Sequence, residues 1–272
     1  MSKNYTISAI NVSYTRLGES DKLLTVFSRE HGLMKLVAKG AFKPGSKIGG
    51  RCELLVVNRL LVAKGKSIDI ISQAEIINAN VKLRNDLNIL AAALYHLELT
   101  KNFGNQLTDE SSYYYDLLVS NLNVLIDGNP LWYTLRFQMV LAKMLGWEPQ
   151  LKNCVICVSA INDHNLALFH YDLGGLVCTN CHRTKGAILS ERINSYEVKS
   201  KNINPNLVTG SYSHLTPMVL KKIYEINLSS NDVLVKSSTI HESQLVRIYQ
   251  LYKAYLEYKI GKKLTGFEVV MG

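Results

Sequence analysis

Long apolar runs are missing from this sequence. No uncharged stretch reaches the roughly 18 residues that a bilayer span requires. The opening residues, MSKNYTISAINVSYTRLGESDK, lack the apolar core of a secretory signal. Proline is scarce, at 5 in 272 residues, and charged residues make up only 19% against 47% hydrophobic. That balance excludes a disordered or collagen-like chain. Cysteine is also sparse and odd in number, at 5, which excludes a disulfide-dense secreted scaffold. These absences lead to the expectation of a cytoplasmic globular protein with no membrane partner. The catalytic signatures are missing too: there is no phosphate-cradling GxxxxGK[ST], no GxSxG and no clustered carboxylates, and the histidines are scattered. The expectation is a binding protein rather than an enzyme. Acidic residues are the last shortage. Against 31 Lys+Arg there are 22 Asp+Glu, a formal charge of +9, which favours a polyanionic partner.

What is present divides by texture. Residues 1–80 read as about five short strands, Thr6–Ser13, Leu23–Ser28, Leu33–Lys39, Cys52–Ala63 and Ser67–Ile77, punctuated by glycine-rich turns. Five strands in 80 residues predict a small closed or nearly closed β-barrel. From about residue 82 the spacing becomes helical. Leu83 to Gly104 forms one candidate, Tyr113–Ile126 a second and Leu131–Leu145 a third, with Pro130 at the start of the last and Gly146 at its end. Pro217–Leu228 and Glu242–Ile260 follow, beyond a polar loop over 195–214. The predicted class is therefore α+β and multidomain: a barrel over 1–80, then a helical domain over 81–272 with a small module inserted at about 150–185. Residues 1–80 carry a net +6, residues 81–150 a net −2 and residues 151–272 a net +5, so the barrel and the C-terminal third are the candidate polyanion faces.

Four of the cysteines form two matched pairs, Cys154-Val-Ile-Cys157 and Cys178-Thr-Asn-Cys181, separated by 20 residues. Two thiolates three apart grip one ion from a tight turn, and two such turns close a tetrahedral four-sulfur zinc site. A site with four protein sulfurs leaves no open position, so the expected Zn2+ is structural. Leu166–Tyr171 between the pairs reads as a strand, and Gly174-Gly175 as a turn leading into the second pair. Cys52 stands alone and reads as a core residue.

A run of cations lies in the barrel region. Arg29, Lys35, Lys39, Lys43, Lys47 and Arg51 fall close together with Glu30 the only acid among them, and Lys22 precedes them. A Gly- and Lys-rich loop over 40–50 is expected to be mobile and to follow a phosphate backbone without reading sequence; the bland reading is a solvated strand face. Phe42 either closes the barrel end or stacks on a base. Tyr113-Tyr114-Tyr115 and the series Tyr249, Tyr252, Tyr255, Tyr258 are expected to pack rather than stack on bases. Lys259, Lys262 and Lys263 either contact DNA or complement a helix dipole.

These residues, taken in order, resemble the bacterial RecO family of DNA repair and recombination mediators. The resemblance is carried by Gly18-Glu19-Ser20-Asp21-Lys22, Leu24-Thr25, Phe27-Ser28-Arg29-Glu30 with Gly32, and Val37-Ala38-Lys39-Gly40-Ala41 with Pro44 and Ser46. Ser72-Gln73-Ala74-Glu75, Leu83-Arg84, Asp86-Leu87, Leu135-Arg136-Phe137, Leu145-Gly146, the cysteine pairs, Gly174-Gly175 and Tyr255-Leu256-Glu257-Tyr258 with Gly261 continue it. It implies an N-terminal OB barrel, binding of single- and double-stranded DNA, and annealing of complementary strands. It also implies partnership with RecR and the single-stranded-DNA-binding protein in helping RecA load, and a nucleoid-associated location. An adaptor that mainly holds partner proteins is the alternative. The chain departs from the family pattern at Phe42 and Gly45, where Arg or Lys is expected, and at Val158, where a Gly often follows the first cysteine pair. Some family members lack the cysteines, which fits a structural metal.

Overall fold

The computed structural model describes residues 4–162, 164–184 and 241–265. Five strands, β1 (Asn4–Leu17), β2 (Asp21–Ser28), β3 (Gly32–Ala38), β4 (Val57–Ala63) and β5 (Asp69–Asn78), close into a barrel in the order β1-β2-β3-β5-β4. Neighbours are antiparallel except β3 and β5, which run parallel and meet only at Leu36–Asp69 and Val37–Ile70. Closure leaves few edges to pair with other chains. Alternation along each strand fills the interior: Ile7 and Ala9, Leu24 and Val26, Leu36 and Ala38, Leu60 and Val62, Ile71 and Ala74 form one cluster with Ala41 and Cys52. Cys52 is thus the core residue that its isolation suggested, and burial pushes its thiol up to about 11.

The outer face of β2 is apolar as well, and helices cover it. Phe27 meets Tyr114 edge-on at 4.9 Å between ring centroids. Two helices supply that cover, α1 (Leu87–Phe103) and α2 (Ser111–Val124). The Asp86 side chain caps α1, accepting from the Asn88 and Ile89 amides at 2.8 and 3.0 Å. Helix α3 (Pro130–Met144) follows, then the hairpin of β6 (Leu166–His170) and β7 (Gly175–Cys178), and finally α4 (Glu242–Ile260). The expected helix over 217–228 and the polar loop over 195–214 lie outside the described residues.

The described residues divide into two compact units, 4–133 with 265, and 134–162 with 164–184 and 241–264, the division falling inside α3. The first unit therefore runs past residue 80, because α1 and α2 pack on the barrel rather than apart from it. In the second unit α4 lies on the β6–β7 hairpin. Tyr255 packs edge-on against Phe169 at 5.4 Å and stacks with Tyr171 at 6.3 Å, while Tyr258 stacks on Tyr171 at 5.9 Å. Of the tyrosines expected to pack, Tyr114, Tyr115, Tyr249, Tyr252 and Tyr255 are buried; Tyr113 is exposed. No helix among the described residues is long and apolar enough to cross a membrane.

His96 of α1 is fully buried, and burial holds its imidazole down at about 3. An unfolded histidine titrates near 6.5, so between those values the unfolded chain binds one more proton than the folded one. Stability is accordingly expected to fall as pH drops below about 6.5, by roughly 1.4 kcal/mol per unit from this group. Chemical unfolding at pH 7 and pH 5 is expected to show a smaller acid loss for His96→Gln than for the parent; equal losses would remove His96 as the cause.

Candidate metal centre and nucleic-acid interface

The four paired cysteines converge. The sulfurs of Cys154, Cys157, Cys178 and Cys181 all lie within 4.8 Å of one another. Cys157 Sγ and Cys178 Sγ are 3.8 Å apart, which matches the edge of a tetrahedron, about 3.8 Å, drawn around zinc with Zn–S bonds of about 2.3 Å. The backbone is arranged for anionic sulfur: the Cys178 amide donates to Cys154 Sγ and the Cys181 amide to Cys178 Sγ, each at 3.4 Å. Burial pushes the Cys154 thiol up, but amides of Cys178, Cys157 and Ile156 together bring it below the ordinary thiol value. Hydrogen bonds from Ser159 hold Cys157 down at about 6, whereas burial pushes Cys181 up to about 12. Four sulfurs at such close range repel one another when ionised, and one divalent cation would offset that repulsion. The donor set fits zinc.

Local sequence explains the approach. Gly174 has φ +64°, and a Cβ there would sit 2.8 Å from the Tyr255 hydroxyl; one on Gly175 would meet Val155 Cγ1 at 2.5 Å. Only glycine at both positions lets α4 and the first cysteine turn close on the hairpin. Val158, standing where glycine is usual, nonetheless takes φ +63°, and its amide donates to the Cys154 carbonyl at 2.9 Å. The turn is therefore retained despite the departure in sequence. A β-branched residue held in that region carries strain of about 1–2 kcal/mol.

In the barrel the cations separate into three groups. Lys22, one of the expected phosphate contacts, is the first group. It is buried, at 1% exposure. Its Nζ lies 2.6 Å from Glu53 Oε1 and 4.3 and 5.0 Å from the ring centroids of Tyr14 and Phe42. The side chain points inward from β2, and a buried ammonium needs its partner there. Arg29 is the second group, exposed but ion-paired. It forms a two-pronged pair with Asp116 of α2, Nε to Oδ1 at 3.1 Å and Nη2 to Oδ2 at 2.9 Å, so its charge is already matched by α2. The third group is on the surface: Lys35 on β3, and Lys39, Lys43 and Lys47 after it, are exposed and form no ion pair among the described residues. Arg51 is half-buried at the far end of the same segment.

That segment is a chain of hydrogen-bonded turns rather than the loose loop its composition suggested. At one end Asp21 Oδ1 accepts from the Gly40 amide at 2.7 Å, and the Phe42 amide donates to the Ser20 carbonyl at 2.8 Å. The Gly40 amide, then Ser20, hold the Asp21 carboxyl below its ordinary value. At the other end the buried Asn11 donates to the Arg51 and Glu53 carbonyls at 2.8 and 2.7 Å, and Asn58 to the Arg51 carbonyl at 2.9 Å. A register shift in β1 between Asn11 and Ser13 sets Asn11 there. Asn11, Glu53, Asn58 and Tyr14 were not foreseen. Their roles depend on partners in other strands or in the turn segment, from 7 to 42 positions away, and no local pattern marks them.

Replacing Val158 by Gly is expected to relieve about 1–2 kcal/mol of strain against about 0.5–1 kcal/mol of added chain entropy. Because Val158 is 71% exposed, little packing is lost. The variant is expected to melt at or slightly above the parent temperature with the same metal content, by scanning calorimetry and metal analysis. A clear drop would show that the side chain makes a stabilising contact.

Comparison with known proteins agrees with this architecture. The family model described as Recombination protein O N terminal matches residues 1–80, and Recombination protein O C terminal matches residues 84–194. The chain is similar to the DNA repair protein RecO of Desulforamulus reducens, 29% identical over 266 residues, covering 98% of this chain and 93% of that one. It is similar to that of Nostoc sp., 28% identical over 293 aligned positions with 99% and 96% covered. The RecO of Dehalococcoides mccartyi is 30% identical over 183 residues, 67% of this chain and 72% of its own. With a five-stranded barrel under the first family model and the four-cysteine cluster under the second, this chain belongs to the RecO family of DNA repair and recombination proteins.

Proposed function

We propose that the protein is a non-enzymatic mediator that binds single- and double-stranded DNA, anneals complementary strands and, with RecR, helps load RecA onto strands coated by the single-stranded-DNA-binding protein. The observation that carries this reading is the turn segment after β3. It displays Lys39, Lys43 and Lys47 on the surface, in no direct ion pair among the described residues, on a barrel to which both its ends are bonded. Lys35 and Arg51 extend the same cationic tract, and the half-exposed Arg29, already paired with Asp116, stands apart from it. Such a tract neutralises phosphates and lowers the repulsion between two strands. Base pairing then completes annealing without ATP.

In this reading Cys154, Cys157, Cys178 and Cys181 hold one structural Zn2+. When bound, the ion supplies a cross-link between the two cysteine turns. The residues around it supply the rest: amides of Cys178 and Cys181 neutralise sulfur, and the Gly174-Gly175 turn admits Tyr255. The protein works in the cytoplasm at the nucleoid.

Two outcomes are expected. Charge reversal at Lys39, Lys43 and Lys47 together is expected to weaken oligonucleotide binding and to lower the slope of log affinity against log salt by roughly 2 on single strands. Fluorescence anisotropy at several salt concentrations measures both. An unchanged slope would remove this segment from the interface. Metal analysis is expected to find about one zinc per chain, and Cys154→Ser with Cys178→Ser to lose it together with the stability of the second unit. Full stability without bound metal would reject the zinc site.

A further inference from the structure

The basic segment carries an aromatic pair that phosphate binding leaves unexplained. Tyr14 of β1 and Phe42 lie 6.1 Å apart between ring centroids at an interplanar angle of 68°, forming a bent shelf at one end of the barrel. Their undersides are fixed. Lys22 Nζ sits below both rings, pinned by Glu53, and the Arg16 guanidinium lies 5.1 Å from the Phe42 centroid. Arg16 is itself anchored, Nη2 donating to the Glu19 carbonyl at 2.8 Å. The Phe42 backbone is tied down through its amide to Ser20.

Rings that merely closed the barrel end would be covered. Tyr14 and Phe42 are instead 38% and 37% exposed as residues, beside the exposed Lys39 and Lys43. Large apolar rings left exposed, held rigid and ringed by cations offer a π-face next to a phosphate track, which is the arrangement that takes unpaired bases. A base inside a duplex keeps both its faces stacked on neighbours and cannot enter.

We propose that Tyr14 and Phe42 form a shelf for one unpaired nucleotide, its base stacking on the face of one ring while the other ring walls its edge, and that this shelf makes the barrel favour single strands over duplex. The inference rests on the DNA-binding reading above and assigns it a determinant of specificity that charge alone does not supply.

The test uses the full chain and three probes of equal length: oligo-dT, the same strand with abasic sites throughout, and a duplex. Phe42→Ala is compared with Phe42→Leu, which still covers Lys22 but has no π-face. Both are expected to lose about 5- to 100-fold in affinity for oligo-dT, with the salt slope unchanged and with abasic and duplex binding unaltered. Phe42→Trp is expected to bind oligo-dT with quenched tryptophan fluorescence, and to bind the abasic strand without quenching. Undiminished dT affinity in Phe42→Leu would overturn the shelf, as would equal losses on all three probes. Parent protein that binds none of the probes would overturn the DNA-binding reading itself, and the shelf with it.

Discussion

The ion pair between the buried Lys22 and Glu53 is the constraint on which the cationic face of the barrel depends. An ammonium at 1% exposure is costly unless a carboxylate meets it. The carboxylate comes from the far end of the turn segment and reaches Nζ at 2.6 Å. The chain after β3 must therefore turn back over the barrel so that Glu53 stands beside Lys22. The Asp21–Gly40 bond at one end and the Asn11 and Asn58 bonds at the other hold the same course. Between these anchors the lysines face outward, because the inward positions are taken by Ala41, Cys52 and the partly buried Ile48. One inward cation thus fixes where the outward ones stand.

The second unit solves a different problem. Its hairpin is two short strands, too few to hold together in water alone. Two things compensate: the tyrosine stack of α4 on Phe169 and Tyr171, and a four-sulfur cluster that draws two turns to one point. The glycines at 174 and 175 serve both, since a side chain on either would hold Tyr255 or Val155 away. The strained Val158 turn persists because the sulfur geometry over-determines it.

Much of this was legible in the sequence because it is local. The five strands show in β-branched runs between glycine turns, the helix over 242–260 in its spacing, and the cysteine cluster in two short repeats. What was not legible depends on distant partners. Lys22 and Lys39 are alike as letters, yet one points into the barrel toward Glu53 and the other out. Arg29 reads as a free cation until α2 brings Asp116 to it, 87 positions away. The Gly- and Lys-rich composition of residues 40–50 suggested looseness, and nothing nearby announced that Asp21 and Asn11 would pin both ends. Val158 misled in the other direction: its residue type argues against a positive φ that the cluster enforces.

The central claim is that exposed, fixed cations on the barrel let two strands meet without an energy source. Annealing of complementary oligonucleotides coated with the cognate single-stranded-DNA-binding protein, followed by fluorescence without ATP, tests it most directly. Acceleration by stoichiometric protein that fades as salt rises is the predicted result. No acceleration at any salt by folded, zinc-loaded protein would contradict the account and favour an adaptor that acts through its protein partners.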